Sequence, residues 1–361
     1  MVVDAEYAAL RAAGIDVQLF QTDPEQVRDS RWYPVRAGMR VITGVGSNMA
    51  DALERFGPDI VHVHNVFPDL GERSVAGLPF PLVVTAHNYR WGCAIGTFFR
   101  DGAICTDCVD GLPLSGVRHG CHHGALGTLP IAVAHWNGPR HNPLAQAARG
   151  IWCPSDLHRR KLILAGVPEH RISVSPHFLP DRLVSASGET PRDRFIFVGR
   201  LEPEKGVLEL ARHWPDDGPH LDVVGDGSQR QQLESLASGK PITVHGQQKR
   251  ERVMDMVAAA RGLVFSSGWW ETFGLVAMEA MASGTPVLTW GEHAVAELVA
   301  EHDAGVLIPD VTCLEAGTHE ILARTVEEWR HPLRATFAER FSEQAWVQRR
   351  MSEYESALDR R

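Results

Sequence analysis

Two glutamates, Glu271 and Glu279, stand at the mouth and in the middle of a segment that reads as one short buried helix. From Leu275 to Ser283 the chain is apolar or small except for Glu279. A lone carboxylate in a buried helix costs several kcal/mol unless something binds it, so Glu279 marks either a ligand contact or an internal pair with an arginine. The amides of Phe273, Gly274 and Leu275 would be the helix's first-turn donors, and such a helix start attracts a phosphate. A carboxylate at the mouth, an anion cradle and a second carboxylate able to grip a sugar diol point to a nucleotide-sugar site.

The spacing Glu271-x7-Glu279, followed by Ala280-Met281-Ala282-Ser283-Gly284-Thr285-Pro286-Val287, resembles the signature of family-4 retaining glycosyltransferases of the GT-B fold. The resemblance implies that Glu271 lies by the donor sugar and that Glu279 binds the ribose hydroxyls. Gly199-Arg200-Leu201-x-x-x-Lys205-Gly206 matches a second family element, whose Arg and Lys hold the donor diphosphate. A leaving nucleoside diphosphate develops negative charge, which a fixed cation pair and a helix N-terminus can stabilise without a metal. No Asp-x-Asp occurs in the chain, which fits a metal-independent site.

Gly225-Asp226-Gly227 ends a strand, where glycines permit close backbone approach at the carboxyl edge of a sheet. Alone it is an ordinary turn; the resemblance makes it donor-proximal. Gly246, after His245, occupies the place where the family's backbone meets the nucleobase. His87 follows a strand end, a position that is more often structural, but the family has a histidine here that reaches the donor sugar. His62 and His64, two apart, share a strand face. Packing or hydrogen bonding accounts for them better than a metal, and they fall outside the expected site.

The elements that must position these groups alternate as short β-branched runs and helical patterns, the mark of parallel α/β layers. Strands are expected at 16–20, 60–64, 81–85, 150–153 and 172–174, then at 194–198, 221–224, 242–244, 262–265, 286–289 and 305–307. The expected architecture is GT-B, two Rossmann-like parallel-sheet domains facing a cleft. Residues 1–183 form the acceptor-side domain, 184–335 the nucleotide-sugar domain, and 336–361 a terminal helix that either crosses back or caps the second domain. The linker is placed in the polar, turn-rich stretch from Leu179 to Arg192. Val2 to Ala13 reads as an amphipathic helix ending at Gly14, and the strand and Gly-rich loop that precede this helix in the family are absent from the given sequence. Either its start is placed too late, which the sequence favours, or the protein lacks them. A second departure is Pro176-His177, where the family often has Asn after Pro.

Cys93, Cys105, Cys108 and Cys121 concentrate in an insertion spanning 93–121 that resembles one in a bacterial subset of these enzymes. Asp101-Gly102 is a hairpin signal leading into a Cys-x-x-Cys knuckle. Four thiols so grouped can close a tetrahedral structural zinc site; two disulfides, free buried thiols and an iron–sulfur cluster are the alternatives. Disulfides are disfavoured in a cytoplasmic protein.

At 361 residues two domains are the natural expectation. The formal charge of −9 argues against nucleic acid as a partner. No run approaches a membrane span, and no signal peptide or low-complexity tail is evident, so the default is a cytoplasmic protein, with peripheral contact at the inner membrane face left open. The resemblance implies a retaining transferase moving sugar from a nucleoside-diphosphate donor to a glycan, lipid-linked saccharide or small-molecule acceptor, with no cofactor required for catalysis. The rivals are a catalytically silent relic, a sugar-binding scaffold, and a GT-B epimerase or phosphorylase.

Overall fold

The computed structural model describes residues 2–22, 31–46, 49–110, 113–180 and 193–360. Most of the expected linker, from Asp181 to Arg192, lies outside the described residues. The chain divides into two compact units: Met1–Phe98 with Cys105–Ser175 and Val347–Arg361, and Phe99–Ile104 with Pro176–Trp346.

In the first unit, β1 (Val61–Val63), β2 (Leu82–Thr85), β5 (Gly150–Cys153) and β6 (Ile172–Val174) form a parallel sheet in that order. The register sets Val63 beside Val84 and Thr85 beside Trp152. β2 and β5 are buried along their whole length, as expected for parallel strands covered on both faces. The two-stranded hairpin is β3 (Phe99–Arg100) with β4 (Ala103–Ile104). Asp101 at φ 52° and Gly102 at φ 83° make the left-handed turn that suits the strand twist.

The first helix, α1 (Val2–Ala12), buries Glu6, Ala9 and Leu10. Past Gly14 the chain departs from expectation: residues 16–20 are not a strand. A strand exists only where its backbone groups find a ladder, and β1 pairs with β2 alone among the described strands. Val17 to Phe20 and Ile60 to His64 both line a cavity of about 650 Å³.

The second unit is a six-stranded parallel sheet. It contains β7 (Arg194–Val198), β8 (His220–Val224), β9 (Ile242–Gly246), β10 (Gly262–Phe265), β11 (Val287–Thr289) and β12 (Gly305–Leu307), ordered β12-β11-β10-β7-β8-β9. The first strand in sequence thus sits in the middle, with β8 on one side and β10 on the other. Chain direction across the sheet reverses there, and ligands of such sheets bind at the carboxyl ends of strands at that point.

The expected single terminal helix is two: α2 (Val326–Arg340) and α3 (Glu343–Asp359). Local hydrogen bonding breaks the pattern. Leu179 donates its amide to the Phe341 carbonyl at 3.1 Å, and Ser342 Oγ accepts from Ala345 N at 3.3 Å as a new cap. From Val347 onward this last helix belongs to the first unit, where Tyr354 meets His62 and Arg149 donates to the Leu358 carbonyl.

Candidate active site

Gly199, Gly225 and Gly246 sit at the carboxyl ends of β7, β8 and β9 and are stitched together by their backbones. Gly199 N donates to Val224 O and Gly225 N to Gly246 O, each at 3.0 Å. Gly225 has φ 145°, and a Cβ there would lie 1.8 Å from the Gly199 carbonyl oxygen. No other residue fits, so three strand ends close into a backbone floor without side chains. Asp226 and Gly227 continue it: Leu201 N donates to Asp226 O at 2.9 Å, and Asp226 caps Gly227 N at 2.8 Å.

The expected cations part company. Arg200 is exposed and pairs with Glu204 at 2.8 Å. Lys205 is largely covered, forms an ion pair with Glu271, and lies 5.4 Å from the Trp269 ring centroid. The turn holding Lys205 is fixed on the neighbouring strand end, since Ser266 Oγ donates to the Lys205 carbonyl at 2.8 Å. A Cβ on Gly206 (φ 67°) would meet the Ser266 carbonyl oxygen at 2.1 Å. Glu271 is anchored in turn, its carbonyl accepting from Ala294 N at 3.1 Å. Lys205 and Glu271, named separately from the sequence, are therefore one contact.

Helix Leu275–Ser283 starts at Gly274, which has φ 84° and no side-chain cap, and a Cβ there would strike Val295. Its first-turn amides accordingly have no capping side chain competing for them. Phe273 just before it packs edge-on to His177 at 5.2 Å between ring centroids, so the residue standing where the family often has Asn is a buried support for this turn. Glu279 is buried and forms an ion pair with Arg250, at the start of the helix Arg250–Ala258. Burial raises the Glu279 pKa, with the arginine opposing. The internal arginine partner weighed from the sequence is present, and Arg250 itself was not identified by sequence reasoning.

In the first unit, His87 lies just past β2 and lines a cavity of about 290 Å³ with His64, Asn65, Phe67 and Arg90. Its Nε2 is 2.9 Å from His64 Nδ1. Burial, followed by the nearby Arg350 charge, lowers His87 to about 4. His64 is thus hydrogen-bonded to His87, in keeping with the hydrogen bonding expected of it. Hydrogen bonding accounts for His62, whose Nδ1 meets Tyr354 Oη at 2.8 Å and whose Nε2 meets Thr85 Oγ1 at 2.7 Å. Glu6, His62 and His64 place ligand atoms within 4.8 Å of one another. Both His62 nitrogens are committed to hydrogen bonds, so neither is open to a metal.

None of the six cysteines is in a disulfide. The Cys108 thiol is pushed up by burial and then by Cys93, with Cys121 and Cys105 also acting on it, so the four are gathered. No three of them bring their sulfurs mutually within 4.8 Å. Tetrahedral Zn–S bonds of about 2.3 Å need sulfurs closer than that, so a zinc would have to draw the thiols inward.

The chain matches two family models: Glycosyltransferase Family 4 over residues 2–181 and Glycosyl transferases group 1 over residues 185–339. A GDP-mannose-dependent alpha-mannosyltransferase of Mycobacterium tuberculosis is 32% identical over 198 residues, covering 51% of this chain and 50% of that protein. A glycogen synthase of the same species is 31% identical, covering 80% of this chain and 64% of its own length. The chain spans half the length or less of several curated relatives it matches. Among solved structures, the sucrose-phosphate synthase of Thermosynechococcus elongatus aligns with TM-score 0.64 at 18% identity, covering 96% of this chain and 90% of that one. Anabaena HepE, crystallised with UDP, aligns with TM-score 0.60 at 16% identity, covering 98% and 89%. Two parallel-sheet α/β units and these matches fix the fold as GT-B. The chain belongs to the family-4, group 1 type of GT-B glycosyltransferases.

Proposed function

We propose that this protein is a retaining glycosyltransferase that takes a nucleoside-diphosphate sugar as donor and needs no metal for transfer. The observation that carries this reading is the Lys205–Glu271 pair beside the glycine floor at the centre of the second sheet. A fixed cation, a backbone surface open to close approach and an uncapped helix start suit a diphosphate. In this reading Lys205 and Arg200 neutralise the leaving diphosphate, and Glu271 contacts the sugar. Glu279 holds the ribose, while Gly199, Gly225, Asp226, Gly227 and Gly246 surround the nucleotide. His87 is the first unit's contribution. The acceptor attacks the face that the leaving group vacates, and a phosphate oxygen takes its proton, so no carboxylate forms a covalent intermediate. We further propose that Cys93, Cys105, Cys108 and Cys121 take one structural zinc that stabilises the insertion and stays outside the chemistry.

Incubating the purified chain with GDP-mannose, UDP-glucose and ADP-glucose and following nucleoside diphosphate release tests the reading. The mannosyltransferase relatives and the UDP-bound structural neighbour motivate the first two. Release from one donor, abolished by Lys205→Ala, supports it. Absence of release and of binding for every donor favours a silent scaffold.

A further inference from the structure

Glu6 on α1 is 2% exposed, and its Oε2 lies 3.5 Å from His64 Nε2. His64 Nδ1 is 2.9 Å from His87 Nε2. The two imidazoles stack with centroids 5.2 Å apart and planes at 25°. A buried carboxylate from the first helix and two part-buried imidazoles from the ends of two adjacent strands thus form a line. We propose that Glu6 and His64 are positioning residues for His87, a carboxylate–imidazole–imidazole chain that sets which nitrogen of His87 carries the proton. The role rests on the glycosyltransferase reading, in which His87 acts at the donor sugar.

The direction of the chain follows from donor and acceptor inventory. Glu6 Oε2 stands 3.5 Å from His64 Nε2, at the outer limit of hydrogen-bond distance. An ionised carboxylate there only accepts, so its charge favours the His64 tautomer with the hydrogen on Nε2. A neutral imidazole has one hydrogen, which leaves His64 Nδ1 as an acceptor. His87 Nε2 must then donate to it, and His87 Nδ1 becomes the acceptor nitrogen. Both rings are held neutral, since burial and then neighbouring charge lower His64 to about 3 and His87 to about 4. Setting a tautomer through a buried carboxylate is how an imidazole is prepared to accept a proton or a substrate hydroxyl hydrogen.

The charged and titratable groups around the line come from β1, the terminal helix and the helix Asp156–Leu164. They include His62, Arg350, Glu353, Tyr354 and His158, which faces His87. Arg350 is fully buried, pairs with Glu353 at 2.9 Å and lies 4.3 Å over the Trp152 ring centroid. Burial raises Glu6 to about 7, the Arg350 charge opposing and Glu353 adding to the rise. Above that pH Glu6 accepts and the chain runs as described. Below it a protonated Glu6 can donate to His64 Nε2, which reverses both rings and turns His87 Nδ1 into a donor.

The test is nitrogen NMR of the full chain with 15N-labelled histidine, free of any donor. At pH 8 the expected result is the Nε2–H tautomer for both His64 and His87, with a shift toward Nδ1–H at pH 6. Glu6→Gln can still accept from His64, so it should keep the pH 8 tautomers and lose the change at pH 6. Glu6→Leu should mix the tautomers of both rings at pH 8. In turnover, Glu6→Leu should lower kcat on the order of tenfold to a hundredfold with the donor KM little changed, and Glu6→Gln should restore most of it. An Nδ1–H tautomer at His87 at pH 8, or a pH 6 change that persists in Glu6→Gln, overturns the proposal, and neither needs Glu6→Leu to fold. The expected tautomers in a protein that turns over no nucleotide sugar would uphold the chain while removing the glycosyltransferase reading.

Discussion

Lys205 and Glu271 form an ion pair, both side chains largely covered, although the two residues belong to different sequence motifs. Each satisfies the other here. Under the proposed function, an arriving diphosphate would draw Lys205 toward itself and release Glu271 toward the sugar, coupling donor binding to the readying of the carboxylate.

Replacing Lys205 by Ala should weaken transfer by roughly 2–4 kcal/mol, the scale for loss of a preorganised charge-stabilising group. It should also lower the melting temperature, because Glu271 loses its partner in a covered site. Arg200→Ala should reduce transfer while leaving melting unchanged, since Arg200 is exposed and its pair with Glu204 is of the weak surface kind. Steady-state kinetics and thermal melts separate the two. Near-normal turnover in Lys205→Ala at saturating donor would contradict the assignment.

Glu279 is a choice between ligand contact and internal pair that the structure makes concrete through Arg250. If ribose exchanges for Arg250 on binding, Glu279→Gln should raise the donor dissociation constant about tenfold and blunt discrimination against 2′-deoxyribose donors. Calorimetric titration of both donors reads this. Unchanged affinity with a lowered melting temperature would make Glu279 a core residue only.

The cysteine proposal predicts about one zinc per chain on the four-ligand model in protein purified without chelator, and a lowered melting temperature for Cys108→Ser. Elemental analysis decides. Metal-free protein with intact thiols or with bridges among them would rule it out.

Acidification should destabilise the fold between about pH 6.5 and 4.5. His64 and His87 titrate near their ordinary 6.5 when unfolded but resist protonation to about 3 and 4 when folded, so the unfolded chain takes up the extra protons. His62 shifts in the same direction through burial. Glu6 opposes them. Its folded value of about 7 against an ordinary 4.5 stabilises at low pH and loses that contribution as pH rises to 7. Three histidines outweigh one glutamate, so melting temperature should fall on acidification. A rise across that interval would contradict the burial of this cluster.

Much of the second sheet is legible in sequence because its strands are short runs rich in apolar residues, and β7, β8 and β9 end at Gly199, Gly225 and Gly246. The pairings are less legible. Arg250 precedes Glu279 by a helix and a strand, and only their packing reveals the contact. His64 and His87 meet because the β1–β2 register places their strand ends side by side, which the spacing of His62 and His64 does not report. Residues 16–20 carry a strand pattern, but pattern supplies no ladder partner. The helical period runs on through Phe341, yet the Phe341 carbonyl is taken by Leu179 and the helix restarts.

The central claim is that Lys205, paired with Glu271, is the cation of a nucleotide-sugar site. Calorimetric titration of the chain and of Lys205→Ala with GDP-mannose, UDP-glucose and ADP-glucose, without added metal, tests it most directly. The account predicts saturable binding of at least one donor and an affinity at least about 30-fold weaker in the variant, equivalent to roughly 2 kcal/mol. No binding of any donor at millimolar concentration, or equal affinity in Lys205→Ala, would contradict it.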